Sequence, residues 1–370
     1  MVLFEEGLPL LKTQSALHQS IKELIVSGSS LSEAEFNGLA LALYSHQFEH
    51  NPTYQRLCRT QGLSKNIEAW QQIPLVTTEL YKSSILFSKE ETQAAKLFFS
   101  SGTTQENKSK HFLSEPELEL YELSLWKSFS QAFLLEKDLN KFDYFVLSES
   151  AQEKPNSSLI HMFECIRLKL NAPKNCYYFN DSHLQQEALL KNLEQSIENQ
   201  KPVLMVGSAF AFLQLIQSID KVIILPKGSA LMETGGFKGQ HKEIPKAEFY
   251  EMLQQKLSLS QHSIVGQYGM SELNSQFYDS CFRLNSNDPQ TRWKQALPWC
   301  RVRIVDPQDP KRKVQENESG LIAFYDLSNF DSCGFILTGD LGIKRSSERF
   351  ELIGRASNLL PKGCSLNYEI

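Results

Sequence analysis

Between residues 142 and 269 the sequence alternates short β-rich runs with helical segments, and this alternation constrains the fold more than any other feature of the chain. The runs are FDYFVLS at 142–148, PVLMVGS at 202–208, KVIIL at 221–225 and HSIVGQYG at 262–269. Apolar runs of this length with helices between them predict an α/β domain, a parallel sheet with helices on its faces. Beyond Pro298 the pattern changes. RVRIVD, GLIAFYDL, GFILTGDLG and RFELIGR are separated by turns and not by helices, so a small antiparallel β unit is expected to close the domain.

The first hundred residues read as helical. Ser30-x-x-Glu33 is a capping box followed by Phe36, Leu39, Ala40, Leu43, Tyr44 and Phe48 on one face, and the helix stops at Asn51-Pro52. His46 and His50, four apart and without a third ligand in view, read as a solvated helix end. A second helical stretch is expected around Asn66 to Gln72. KLFFSSGTT then reads as a strand that opens into a polar loop, followed by a helix that a second capping box, Ser114-x-x-Glu117, specifies.

Composition narrows the function classes. With 43 acidic and 38 basic residues the net charge is -5, which leaves no overall cationic surface for a phosphate backbone, so no nucleic-acid partner is expected. The start, MVLFEEGLPLLKTQS, lacks the pattern of a secretory signal, and apolar runs such as VIIL are far short of a membrane span. A soluble, cytoplasmic protein is the expectation. The seven cysteines (Cys58, Cys165, Cys176, Cys281, Cys300, Cys333 and Cys364) are odd in number, scattered and free of any C-x-x-C, which reads as reduced thiols.

Four local signals bear on chemistry. The loop Ser100-Ser101-Gly102-Thr103-Thr104-Gln105-Glu106-Asn107-Lys108 offers hydroxyls, backbone N–H groups beside a glycine and one ammonium, a set suited to a polyphosphate. It is not a Walker A loop, which needs a glycine directly before the lysine. Tyr268-Gly269-Met270-Ser271-Glu272 follows a β run, where open α/β sheets bind ligands. A tyrosine face stacks on a base, a glycine admits a ligand to the backbone, and a glutamate holds a hard divalent ion. The competing reading is a plain strand-to-helix turn with Glu272 opposing the helix dipole. Thr338-Gly339-Asp340 and Gly354-Arg355 are either turn residues or a carboxylate and a guanidinium that grip ribose hydroxyls. A serine hydrolase is disfavoured, because VGSAF at 206–210 is not a G-x-S-x-G elbow.

Taken in order, these motifs resemble those of the adenylate-forming superfamily of acyl-CoA synthetases, luciferases and peptide adenylation domains. SSGTTQENK is similar to its phosphate loop, TGGFKGQ at 234–240 (Gly235, Gly236) to its adenine-side glycine segment, YGMSE to its YGxTE motif, and TGD and GR complete the set. Within the superfamily, NPTYQRLC, IPLVTTELYKSSILF, YGMSELNSQFYD and the terminal PKGCSLNYEI most resemble the bacterial acyl-protein synthetases, the fatty acid ligase component of the luminescence fatty-acid reductase, and related phenylacetate-CoA-ligase-like proteins.

The resemblance implies ATP and Mg2+ as cofactors and a fatty or other carboxylic acid as substrate. Ser100, Ser101, Gly102, Thr103, Thr104 and Lys108 would cradle the phosphates and Glu272 the magnesium ion. Ser271 would hydrogen-bond the AMP phosphate, Tyr268 with Gly269 would face adenine, and Asp340 and Arg355 would hold ribose. Two departures stand out: Gln105 replaces a common second glycine, and the sequence runs only about fifteen residues past Arg355, where larger members continue into a domain of roughly a hundred residues or more. The implied organisation is an adenylation core over 1–353 and a remnant, 354–370, of a largely missing C-terminal domain. That remnant carries Cys364, beside Lys362 and Gly363; a nearby ammonium favours the thiolate, and the resemblance implies a self-acylated cysteine near this terminus. An acyl-CoA-reductase-type protein would accept the acyl group. Two rivals remain: a stand-alone acyl-AMP ligase serving CoA, a carrier protein or an amine, and a catalytically silent nucleotide-binding scaffold.

Overall fold

Val146, Val206, Met232 and Val265 lie side by side across four parallel strands at the centre of the α/β region. The computed structural model describes residues 13–100, 108–135, 138–235 and 244–356. These pack as two compact units, one drawn from Met1–Lys127, Met270–Ser275 and Ala296–Ile370, the other from Ser128–Gly269 and Gln276–Gln295.

In the second unit the strands run in the order Phe277–Tyr278, Ile264–Tyr268, Ala230–Thr234, Val203–Ser208, Asp143–Leu147, parallel except for the first. They are continuous apolar runs because helices cover them. Leu189 of Gln186–Glu198, Phe212 of Ala209–Ser218 and Leu253 of Lys246–Leu257 share one core with Phe145, Met205 and Ile264. One expected strand is misplaced. KVIIL at 221–225 has no strand structure, and Val222 and Ile224 are 58% and 70% exposed; the sheet takes Ala230–Thr234 instead.

In the first unit, Cys300–Val305, Ser319–Asp326, Phe335–Lys344 and Arg349–Arg355 form the expected antiparallel set, and Val76–Thr77 joins Phe335–Lys344 in parallel. Helices Gln14–Ser27, Glu33–His50 and Pro52–Thr60 belong to the same unit. Aromatic rings tie them to the sheet: Trp70 meets Phe36 and Tyr325 edge-on, with centroids 5.5 and 4.7 Å apart, and Tyr54 stacks on Phe335.

Several local expectations shift here. The capping box forms at Ser32 and Glu35, two residues beyond the expected pair, since the stretch contains two Ser-x-x-Glu registers. Asn66 to Gln72 holds only a single 3-10 turn, Trp70–Gln72. Lys96–Phe99 pairs with Lys110–Leu113 as an antiparallel hairpin, so the phosphate-loop candidate spans a hairpin and does not lead straight into a helix. His46 is not solvated; it is buried with Nε2 3.0 Å from Asp331 Oδ1, and only His50 is exposed. Among the described residues, no helix is long and apolar enough to cross a membrane.

Candidate active site

The hairpin brings Ser100 and Lys108 to the two ends of the loop between its strands. Ser100 N donates to Ser109 O at 3.2 Å and Ser109 N to Ser100 Oγ at 2.9 Å, which closes the base of the loop. Ser101, Gly102, Thr103 and Thr104 lie outside the described residues. Lys108 is half-buried beside this base. Ser271 Oγ donates to the carbonyl of Phe99 at 3.2 Å, so the hairpin and the Met270–Ser275 segment meet within one unit.

Glu272 sits on that segment in a turn, not in the first turn of a helix, so the dipole reading does not apply. It is 5% exposed, and among the described residues no hydrogen bond or ion pair engages its carboxylate. Its backbone is held firmly. Asn329 Nδ2 donates to Glu272 O at 2.9 Å, Asn274 N to Asn329 Oδ1 at 3.0 Å, and Ser275 N to Asp326 Oδ2 at 2.9 Å.

The residues that provide this hold were not singled out from the sequence. Glu117, expected to complete a capping box with Ser114, receives only half of it: Glu117 N donates to Ser114 Oγ at 3.3 Å. Its carboxylate instead accepts from the backbone of Asp331 and Ser332 at 2.9 and 2.7 Å, and from Asn274 Nδ2 at 3.0 Å. Burial pushes the Asp331 carboxyl up, but hydrogen bonds from His46, Ser114 and Lys89 outweigh it and hold it below the usual range. Asp326 behaves oppositely: burial raises it to about 6 despite the hydroxyl and amides of Ser328 and Ser275. The only sequence signal was a run of turn-forming residues, DLSNFDSCG at 326–334, which composition alone assigns to a surface turn. Here it is buried, because its polar groups satisfy one another.

In the second unit, Tyr268 ends its strand, buried, opposite Phe277. Thr234 Oγ1 donates to Gln267 Oε1, and Gln267 in turn donates to Gln276. Gly269 is packed so closely that a Cβ would lie 2.2 Å from Gln276 Oε1 and 2.7 Å from Gln267 Nε2. Gly235 follows the neighbouring strand at φ +77°, a left-handed conformation that favours glycine. Gly236 lies outside the described residues.

Asp340 and Arg355 belong to the first unit and are strand residues, not turn residues: they pair in register across Phe335–Lys344 and Arg349–Arg355. Thr338 Oγ1 accepts from Asp340 N at 3.1 Å, which fixes the backbone before the aspartate. Cys364 lies outside the described residues. The six described cysteines are buried and reduced. Burial raises the thiols of Cys58 and Cys281 to about 11 and that of Cys176 to about 12, and pushes those of Cys300 and Cys333 well above the usual value.

A family model described as "Acyl-protein synthetase, LuxE" matches residues 19–369. The chain is 23% identical over 339 residues to a long-chain-fatty-acid–luciferin-component ligase of Aliivibrio fischeri, covering 88% of this chain and 85% of that protein. It is 21% identical over 341 residues to the protein of the same name from Vibrio harveyi, covering 89% and 86%. Among solved structures it is similar to 2-hydroxyisobutyryl-CoA ligase. For that ligase in the post-adenylation state with 2-HIB-AMP, the TM-score is 0.62 at 11% identity, over 96% of this chain and 74% of that one. For the state with 2-HIB-AMP and CoA the TM-score is 0.63 at 11% identity, over 89% and 70%. The likeness is one of fold: the α/β arrangement is similar to that of this ligase.

Proposed function

Because the chain belongs to the LuxE acyl-protein synthetase family, we propose that it is a ligase that activates a long-chain fatty acid with ATP and then transfers the acyl group to its own Cys364. The observation that carries this reading is the Ser271 to Phe99 hydrogen bond. It draws the base of the phosphate-loop candidate and the segment bearing Glu272 together in one unit.

In the first step a carboxylate oxygen of the acid attacks the α-phosphorus of ATP, the bond to the β-phosphate oxygen breaks, and pyrophosphate leaves. Two anions must be held together. The hydroxyls and amides of Ser100, Ser101, Gly102, Thr103 and Thr104, with the Lys108 ammonium, offset the phosphate charge. Ser271 exchanges its bond to Phe99 O for one to the α-phosphate. Tyr268 stacks on adenine, with Gly235 and Gly236 admitting the base, while the space beside Gly269 is filled by Gln276 and Gln267, which keeps the turn after Tyr268 close-packed; Asp340 and Arg355 hold the ribose. A buried carboxylate with no hydrogen-bond partner among the described residues fits a hard divalent cation, and Glu272 would hold Mg2+, which supplies further neutralisation of phosphate charge.

In the second step the Cys364 sulfur attacks the acyl carbon, the carbon–oxygen bond to AMP breaks, and the thiol proton passes to solvent or a base. The high thiols of Cys58, Cys176, Cys281, Cys300 and Cys333 support an acceptor elsewhere, since the thiolate is the nucleophile. The core over 1–353 then performs adenylation and 354–370 presents the acceptor. An acyl-CoA-reductase-type protein would take the acyl group onward, and a reaction that consumes ATP and uses reduced thiols suits the cytoplasm.

The test is ATP–pyrophosphate exchange over a series of acids of increasing chain length. Exchange that requires a long-chain acid supports the reading. Its absence with every acid would remove adenylation and leave a silent nucleotide-binding scaffold.

A further inference from the structure

The segment that carries Ser271 and Glu272 has little regular structure of its own, so something else must fix it. The buried loop between Ser319–Asp326 and Phe335–Lys344 performs that task. We propose that Asn329 is a positioning residue for adenylation, which sets the placement of the Glu272 carboxylate by holding the Glu272 main chain. The inference rests on the reading in which Glu272 holds the divalent cation.

Asn329 spends its amide on this segment and its own loop. Nδ2 donates to Glu272 O and to Ser332 Oγ, both at 2.9 Å, and Oδ1 accepts from Asn274 N at 3.0 Å. A single planar side chain therefore spans the residues on both sides of Leu273, restricting the backbone from which Glu272 projects. The loop is itself locked. Glu117 accepts from the amides of Asp331 and Ser332 while also holding Asn274 Nδ2, so one carboxylate clamps both segments. Asn274 Nδ2 makes a further bond to Ser328 O at 2.8 Å. Every one of these groups is buried in the first unit, where hydrogen bonds are strong and rigid, and where partners of a metal ligand commonly govern its affinity.

The test measures the magnesium dependence of ATP–pyrophosphate exchange in the full chain and, with ATP but no acid so that nothing turns over, Mn2+ binding by electron paramagnetic resonance, which is expected to weaken in the same proportion in the Asn329 variants. Asn329→Asp keeps the acceptor for Asn274 N but loses the donor to Glu272 O, and Asn329→Ser provides a milder second variant that retains a polar group. Tyr54→Phe, which removes a buried hydrogen bond to Pro74 O elsewhere in the same unit, controls for lost stability. The Asn329 variants are expected to need about tenfold or more Mg2+ for half-maximal exchange, with the Tyr54 variant unchanged in that quantity. Glu272→Gln is measured alongside. If Glu272→Gln impairs exchange while the Asn329 variants match Tyr54→Phe, the positioning role is wrong and the metal role stands. Normal exchange in Glu272→Gln overturns both.

Discussion

Asp340 and Arg355 stand directly opposite each other on adjacent antiparallel strands, with Arg355 Nε 3.6 Å from Asp340 Oδ1. The arginine side chain is 68% exposed and the aspartate 18%, so the pair contributes at most about 1 kcal/mol to the fold. In the proposed function the two groups hold the ribose diol. Asp340→Ala should therefore change thermal stability little while weakening ATP binding by about tenfold, the loss expected for hydrogen bonds to a charged group. Calorimetric titration with ATP decides it, and unchanged affinity would return both residues to a purely structural role.

Glu272→Gln should separate activity from stability in opposite directions. A buried carboxylate without a hydrogen-bond partner among the described residues is a burden to the folded state, so its neutralisation should leave the melting temperature equal or higher. Exchange should fall by about an order of magnitude or more as the cation loses its anchor. A variant with both lower stability and normal exchange would show that Glu272 serves packing alone.

Stability should also carry the signature of Asp326. Its folded-state value of about 6 lies above the ordinary 3.8, so between those values the folded protein binds more protons than the unfolded chain. Stability from this group is thus fully present below the unfolded value and is lost as pH rises through 6, by roughly 3 kcal/mol at about 1.4 kcal/mol per unit. Asp331, held below its usual range, contributes in the other sense, with stability lost as pH falls. Comparing wild type with Asp326→Asn from pH 4 to pH 7 isolates the first effect: the stability of wild type relative to the variant should fall by most of that amount. A constant difference would contradict it.

Gly235→Ala should lose about 1 kcal/mol through backbone strain, because φ is +77° and, among the described residues, an added Cβ would touch nothing within 4 Å. Gly62, at φ +72° and equally open, supplies a matched comparison. Similar denaturation midpoints for the two variants, with ATP affinity lowered only by Gly235→Ala, would tie the strained turn to the nucleotide. Equal ATP affinities would remove Gly235 from the site.

The sequence made the parallel strands legible where they were both apolar and bounded by turns, as at Val203–Ser208 and Ile264–Tyr268. It misled at KVIIL, whose composition favours a strand but whose place on the surface is set by tertiary packing, and it hid Ala230–Thr234, whose alanine and glutamate are weak strand formers. The motif residues could be found because each has local chemistry. The network behind them could not: His46 and Asp331 are 285 residues apart, Glu117 and Ser332 are 215, and no local pattern marks either pair. Ser114-x-x-Glu117 even offered a complete local explanation for a glutamate whose carboxylate works elsewhere.

The central claim is that the acyl group is made as an adenylate and ends on Cys364. The direct measurement incubates wild type and Cys364→Ala with labelled long-chain fatty acid and ATP, then maps protein-bound label by mass spectrometry with and without hydroxylamine treatment. The account predicts a hydroxylamine-labile acyl group on Cys364 in wild type, none in the variant, and undiminished pyrophosphate exchange in both, since adenylation precedes attack by the thiol. Equal labelling of both proteins, or label on any other cysteine, would contradict it and make the chain a ligase that passes its acyl group to an external acceptor.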